Sequence, residues 1–505
     1  MIKFHRPHIK LTPFVLSSIA KSFFQIQKNK AKHQNIFLSK RLYQCRNTTF
    51  GKQYNIADIA SIDAFQQQVP IHHYDTMRPW IEQAMRGNKN IISPGYIEWF
   101  ATSSGTTGTS KYIPVTKKSL QSNHFKAWEA GLMYYIKANP TTSVFAGQSI
   151  TIGGSFGINP YTGKKNVWFI SAILQKSSPI RAKLMKQPKA KIAYLPDREP
   201  KVEKIINATS KKNITSIAWQ PSRCSQFLLK VLEKTGAKNI LEVRPHFQLV
   251  MRWWMSIELY KETFAQLLPS EQVQYYQIYN ASEWFFAMQH ANNRDDMMLF
   301  LNHWVFYEFI PLDKYLVWDY SIAHTIHTAK IDQEYVILVT TNAGLRRYVL
   351  WDTIVFTWLS PYTIKITWRT KYYIDLVGEV MWVSDIEKAV LNTCKQYNLS
   401  ISDFTVGPHI ETSWRKCYEF IIWCKNHPQN SEWFINELDK WLCDFWWYKD
   451  ERIDTGVISE PIVHFVSPSV FYKRLEKKGK LWWQHKIPKV SNDRKLIEEL
   501  LEISK

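Results

Sequence analysis

The run Thr102–Lys111, reading TSSGTTGTSK, concentrates groups that bind anions. The hydroxyls of Ser103, Ser104, Thr106, Thr107, Thr109 and Ser110 stand beside backbone N–H groups. Gly105 and Gly108 leave that backbone open to close approach by a ligand. Lys111 adds a compensating charge, and such a concave array suits phosphate oxygens. The spacing Gly-x-x-Gly-x-x-Lys is not that of a P-loop, which needs four residues ahead of a Gly-Lys-Ser/Thr run and then a helix. Taken alone, these ten residues also fit a Ser/Thr/Gly surface loop without a ligand.

The flanking residues say how such a loop is held. Tyr96–Ala101 (YIEWFA) and Tyr112–Thr116 (YIPVT) read as strands, so the loop is the turn of a hairpin. Residues 1–95 read as mainly helical, with a break near Asn47–Gly51 and a turn at Met77–Pro79. Ser119–Ala138 carries a helical pattern that stops at Asn139-Pro140. Ser149–Ser155 (SITIGGS) reads as a strand running into a Gly turn. From there to about residue 330, helices alternate with short apolar strands such as Ile214–Ala218 and Tyr275–Tyr279, which argues for α/β layers. Between Glu334 and Trp368 four β-rich runs follow one another: EYVILVTTN, RRYVL, TIVFTWL and YTIKITW. They predict an antiparallel subdomain or an extension of the sheet. Beyond them, helices are predicted at Asp385–Lys395 and at about 430–446 and 467–478, and strands at about 403–410, 417–424 and 461–466. The boundary falls near 371–384, giving domains of 1–375 and 376–505.

Bulk properties narrow the function classes. A chain of 505 residues is expected to form two domains or more. Its net charge of +22 admits nucleic acid, an anionic membrane or an anionic substrate. The lysines, however, are spread, with short runs at Lys28–Lys32, Lys186–Lys191 and Lys473–Lys480 and no repeating basic stripe with interleaved aromatics. A solvated Lys-rich surface, compatible with a basic nucleotide cleft, is the reading, and no nucleic-acid partner is expected. The six cysteines form no CxxC pair and predict reduced thiols in a cytoplasmic protein. No Cys/His cluster has metal-ligand spacing. No apolar run reaches the length of a membrane span, so no membrane partner is expected. The opening MIKFHRPHIKLTPFVLSSIAKSFF lacks a small-residue cleavage site and reads as an amphipathic helix.

Five motifs occur in a recognisable order: TSSGTTGTSK at 102–111, YNASE at 279–283, TTNAGLRRYVLWDTIVFT at 340–357, ITWRTKYYIDLVGE at 366–379 and GKLWWQHKIPK at 479–489. Together with NTTFGKQYNI at 47–56, they resemble the auxin-responsive acyl-acid amido synthetase family, in particular its bacterial branch. The resemblance covers nearly the whole chain. It implies a large N-terminal adenylate-forming α/β domain and a small mobile α+β C-terminal domain. It also implies a ligase that activates a small-molecule carboxylic acid with ATP and Mg²⁺ and passes the acyl group to an amine, usually of an amino acid. Adenylation-only and thioester-forming relatives are the near alternatives.

By that resemblance Ser103, Ser104, Gly105, Thr106, Thr107, Gly108 and Lys111 form the phosphate cradle. Glu283 is the Mg²⁺ ligand, a hard oxygen for a hard cation, although Asn280–Glu283 also fits a helix-capping pattern. Ser282 joins the nucleotide site. Asp352 accepts from the ribose hydroxyls, its plain alternative being a turn Asp. Tyr279 stacks on adenine, its alternative being a core aromatic. Arg369 and Lys371 resemble the interdomain hinge, and Lys486 the catalytic Lys of the C-terminal domain, with Lys480 as second choice. No Ser/His/Asp or Cys/His arrangement is legible, and adenylation needs charge neutralisation more than a protein nucleophile.

In one repeated way the chain departs from the family: Trp stands where Gly is expected. Trp284 follows Glu283, Trp351 precedes Asp352, and Trp368 precedes Arg369. Trp482–Trp483 and Trp253–Trp254 replace pairs, and Trp168, Trp219, Trp304 and Trp414 fit the same pattern. The chain has 17 Gly and 22 Trp. Gly is therefore about half its usual ~7 % share, whereas the pooled 39 residues restore that share with a little Trp to spare. Some bacterial lineages read UGA as Gly, and a code table assigning UGA to Trp produces this pattern. If the tryptophans are real, a dozen overpacked sites at roughly 1–3 kcal/mol each would exceed the stability of a typical domain, and an inactive homologue is the consequence.

Overall fold

The computed structural model describes residues 30–103, 111–154, 156–195, 199–219, 221–253, 261–369, 373–374, 376, 381–410, 416–424, 428, 430–454, 456–477, 488–491 and 494–504. Apolar runs covered on both faces become its central strands. Ile214–Trp219, Phe285–Gln289 and Val305–Pro311 are buried at every position, the pattern of strands with packing on both sides. They belong to an 11-stranded sheet. Its order runs Val305–Pro311, Glu334–Thr341, Tyr348–Leu359, Tyr362–Arg369, Met297–Leu299, Phe285–Gln289, Gln274–Asn280, Leu249–Trp253, Ile214–Trp219, Gln148–Thr151, Lys186–Gln187. From Gln274–Asn280 onward the pairs are parallel. Their crossovers pass through helices such as Pro221–Thr235 and Lys261–Leu267, as parallel neighbours require.

The antiparallel half curls on itself. Phe286 and Tyr307 stand on strands five steps apart in the sheet order, a separation of about 24 Å if the sheet were flat. Their ring centroids are 6.3 Å apart. The interior of this arc is the largest buried cluster, with Tyr279, Phe286, Leu299, Tyr307, Ile337, Val339, Leu350 and Ile354.

A second sheet of four strands holds the hairpin. Trp99–Ser103 pairs antiparallel with Lys111–Val115, with Ser103 opposite Lys111, so the two ends of TSSGTTGTSK lie on paired strands.

Two expectations are corrected. RRYVL and TIVFTWL are not separate strands: Tyr348–Leu359 is one strand, whose pairing with Glu334–Thr341 shifts register opposite Val336 and Ile337. A bulge absorbs the polar Asp352 that looked like a turn, and these strands extend the large sheet. Nor is there a turn at Met77–Pro79, because Pro79 lies inside the helix Tyr74–Met85. As the sixth residue of that helix it forfeits one backbone bond, and the helix continues past it to Met85. The turn of TTNAGL does require glycine: Gly344 has φ +122°, and a Cβ there would meet Ile92 Cγ1 at 2.8 Å. Just after it, Arg347 ties the motif to the N-terminal helices, with Nε on Glu308 at 3.0 Å and a guanidinium N–H on the Val69 carbonyl at 2.8 Å.

A second compact unit begins at Trp368. Its sheet pairs Ile401–Ile410 antiparallel with Lys416–Cys424, which pairs parallel with Ile462–Val466. Alternation places successive residues on opposite faces. Phe420 and Ile422 meet Phe434 and Leu438 on one side, whereas Ile421 and Trp423 meet Phe471, Leu496 and Ile497 on the other. Helices thus cover both faces, an α+β arrangement. Among the described residues no helix is long and apolar enough to cross a membrane.

Backbone conformation bears on the tryptophans. Among the described residues, eight other than glycine have positive φ: Asn55, Asn90, Asn293, Asn398, Asp332, Arg347, Trp304 and Trp318. Asn and Asp are the usual occupants, and a bulky residue there is an outlier. Trp318, at φ +61°, is also 76 % exposed, so little burial offsets its strain. Replacing Trp318 by Gly removes the left-handed penalty, while replacing it by Ala keeps the penalty. The Gly variant is expected to be more stable than the Ala variant by about 1 kcal/mol, read as a higher urea midpoint. Equal midpoints would contradict the strain.

Candidate functional site

Three of the five motifs converge in the first unit. Lys111 opens the second strand of the hairpin, whose next backbone group, the Tyr112 N–H, donates to the Tyr74 hydroxyl at 2.8 Å. The Lys111 ammonium lies 5.6 Å from the centre of the Tyr74 ring and 5.5 Å from that of Trp351. Trp351 stacks on His73, with centroids 5.1 Å apart and planes 26° from parallel. The first motif's cation therefore meets the WD of the third motif over an aromatic surface.

YNASE lies where the strand Gln274–Asn280 ends. The Ala281 N–H donates to the Trp284 carbonyl at 2.9 Å, closing a tight turn into Phe285–Gln289. No helix starts here, which removes helix capping as an account of Glu283. Ser282 and Glu283 are half-buried in this turn. Close to Glu283 is the Tyr348 hydroxyl, whose proton affinity is driven well up by burial first and by the charge of Glu283 next. That hydroxyl is buried without a hydrogen-bond partner.

Asp352 is buried within its strand, and the Tyr279 hydroxyl donates to its Oδ2 at 2.9 Å. Expected as an adenine platform, Tyr279 is 1 % exposed, with its ring 4.8 Å from that of Phe286. Trp284 is likewise accommodated in the core, its Nε1 donating to the His303 carbonyl at 3.1 Å.

Ser103 ends one hairpin strand and Arg369 ends the strand Tyr362–Arg369. Ser104, Gly105, Thr106, Thr107, Gly108, Lys371, Lys480 and Lys486 lie outside the described residues. Residue types alone did not single out Tyr74, His73 and Tyr348. Tyr348 could have been found from its place four residues before Asp352 inside RRYVLWD. Among the described residues no group of three His, Cys, Asp or Glu is placed to hold a metal. Mg²⁺ asks less than that, since one or two carboxylates with substrate phosphates and water suffice, and the Glu283 carboxylate at the end of YNASE fits this demand.

The GH3 family N-terminal domain profile matches residues 19–273, the central domain 298–369 and the C-terminal domain 384–495. The chain belongs to the GH3 family. Its fold is that of AtGH3.15 acyl acid amido synthetase in complex with 2,4-DB, with a TM-score of 0.82 at 15 % identity over 100 % of this chain and 98 % of that one. It also matches 2-hydroxyisobutyryl-CoA ligase in the postadenylation state with 2-HIB-AMP, with a TM-score of 0.58 at 10 % identity over 99 % of this chain and 97 % of that one. No curated protein sequence matches the chain. The GH3 fold is thus the mixed α/β fold of adenylate-forming enzymes, with a large N-terminal and a smaller C-terminal domain.

Three histidines around this site stay neutral. Burial holds His124 and His303 down at about 3, with Lys126 adding to the effect at His303. Burial, then Arg347 and His73, hold His72 at about 4. In the unfolded chain each titrates near 6.5. Below that pH the unfolded state takes up protons that the folded state does not, so stability falls on acidification from about 6.5 toward 4. The loss is up to roughly 1.4 kcal/mol per pH unit for each histidine. The melting temperature is expected to fall from pH 7 to pH 5, and more gently in His303→Gln. An unchanged slope in that variant would contradict the assignment.

Proposed function

We propose that this chain is an ATP-dependent ligase that adenylates a small carboxylic acid and transfers the acyl group to an amine, an amino acid being the acceptor. The observation that carries the reading is that one strand meets two other motifs in a fold of the adenylate-forming kind: Trp351, next to Asp352, lies 5.5 Å from the Lys111 ammonium, and Tyr348 lies close to Glu283. The substrate carboxylate attacks the α-phosphorus of ATP, the bond to pyrophosphate breaks, and an acyl-adenylate results. The amine then attacks the acyl carbonyl and AMP leaves. The protein's task in both steps is to position charged groups and to neutralise developing charge. Lys111, with Ser103, Ser104, Thr106 and Thr107 of the preceding loop, neutralises the phosphates. Asp352, aimed by Tyr279, accepts from the ribose. Glu283 and Ser282 would hold Mg²⁺ and the nucleotide, and the bound cation would supply charge to the phosphates. Arg369 and Lys371 take the hinge positions and Lys486 the catalytic lysine position that the family resemblance implies. Thioester formation is the second reading, favoured by the likeness to a CoA ligase at a TM-score of 0.58. The higher score of 0.82 for an acyl acid amido synthetase favours the amide.

We read the chain as a cytoplasmic member of the family's bacterial branch, with glycine at the anomalous Trp positions. The left-handed backbone of Trp304 and Trp318 supports glycine decoding, as does the indole of Trp351 between Lys111 and His73. The gene is expected to carry UGA at codons 284, 351 and 368; UGG at all three refutes this reading.

With glycine at those three positions, the protein is expected to catalyse pyrophosphate–ATP exchange that depends on one or more of a panel of carboxylic acids. Asp352→Ala and Lys486→Ala should each lower exchange by about 10²-fold or more with unchanged circular dichroism. Unchanged rates would remove those assignments. Absence of exchange with every acid, together with salt-sensitive binding of DNA or RNA, would favour a nucleic-acid-associated protein instead.

A further inference from the structure

The element that leaves the phosphate hairpin carries three consecutive buried polar residues that the sequence motifs do not include: Ser122, Asn123 and His124. Thr116 follows the strand Lys111–Val115 directly and starts the helix with a reciprocal cap. Its Oγ1 accepts from the Ser119 N–H, and Ser119 Oγ accepts from the Thr116 N–H, each at 3.0 Å. The chain then passes through a π-helical turn, Leu120–His124, before the helix Phe125–Ala138. Such widened turns are rare and recur at functional sites.

Each of the three side chains reaches a different piece of the nucleotide site. Ser122 Oγ accepts from Asn342 Nδ2 of the TTNAGL turn at 2.8 Å. The Asn123 amide pairs with the backbone of Phe285 as a neighbouring strand would. Its Oδ1 accepts from the Phe285 N–H and its Nδ2 donates to the Phe285 carbonyl, both at 2.9 Å. Phe285 is two residues beyond Glu283. The His124 ring lies 6.0 Å from that of Trp284. The strand that leaves the Glu283 turn and the TTNAGL turn are therefore both held from one helix.

We propose that Ser122 and Asn123 are positioning residues that lock the Glu283 turn and the TTNAGL turn to the phosphate hairpin, and so set the affinity for Mg²⁺ and ATP. The proposal rests on the ligase reading above. These bonds lie in the interior, where a buried group left unpaired is costly. Losing one moves the turn that carries Glu283, without removing any group that touches the substrate.

The test compares Asn123→Leu, which keeps the shape and loses both bonds to Phe285, with Ser122→Ala, which loses only the bond to Asn342. The full-length protein is used below the melting temperature of every variant. Half-saturating Mg²⁺ and ATP concentrations are measured in pyrophosphate exchange, and ATP binding is measured by calorimetry. Asn123→Leu should raise half-saturating Mg²⁺ by tenfold or more and weaken ATP binding in parallel, and Ser122→Ala should do the same to a smaller extent; should Asn123→Leu not fold, Ser122→Ala decides alone. Equal Mg²⁺ and ATP dependence in the variants and the parent protein, even with altered melting temperatures, would overturn the proposal and leave the ligase reading standing. A parent protein that neither exchanges nor binds ATP would overturn both.

Discussion

The hydrogen bond from Tyr279 to Asp352, at 2.9 Å, is possible only because the antiparallel half of the large sheet curls. Four strand steps separate the two residues in the sheet order, about 19 Å on a flat sheet and beyond the combined reach of the two side chains. Curling brings the end of YNASE and the middle of RRYVLWD to one place, and it also brings Tyr348 toward Glu283. The strand bulge at Asp352 and the clustered aromatics inside the arc serve the same end. The site thus follows from sheet geometry, with rigid strands in place of long loops carrying the groups that must be held to within a fraction of an ångström.

How much of this was legible depended on whether local sequence decided the matter. The hairpin around TSSGTTGTSK, the helix stop at Asn139-Pro140 and the C-terminal elements were readable because strand alternation, caps and breakers act over a few residues. The unbroken strand Tyr348–Leu359 was not, because a buried Asp in a bulge imitates a turn until the facing strand is known. Pro79 misled because a helix can continue past a proline that removes one of its backbone bonds. Motif order singled out Asp352, Glu283 and Lys111. Tyr279, read as an adenine platform, meets Asp352 from a strand four places away, and no local pattern encodes the curl that brings the two together. The same holds for Asn123, whose amide imitates a strand neighbour of Phe285.

The tryptophans make the same point about context. Trp284 finds a buried place and a carbonyl for its indole N–H, so packing alone does not mark it as foreign. Trp304 and Trp318 are marked by backbone conformation, which is set by the turns around them and is indifferent to side-chain type. Trp351 is marked by position: its indole meets Lys111 and His73 at the centre of the candidate site. Glycine at such points leaves backbone open to a ligand, which is what a nucleotide cleft needs.

The proposed ligase stands or falls with an acyl-adenylate. The most direct measurement is a mass spectrum of the acid-quenched reaction of the protein, with glycine at 284, 351 and 368, given ATP, Mg²⁺ and a panel of carboxylic acids without amine. An adduct of AMP whose mass follows the acid supplied is expected, together with pyrophosphate. Formation of ADP and an acyl phosphate, or no acid-dependent nucleotide adduct with any acid, would contradict it.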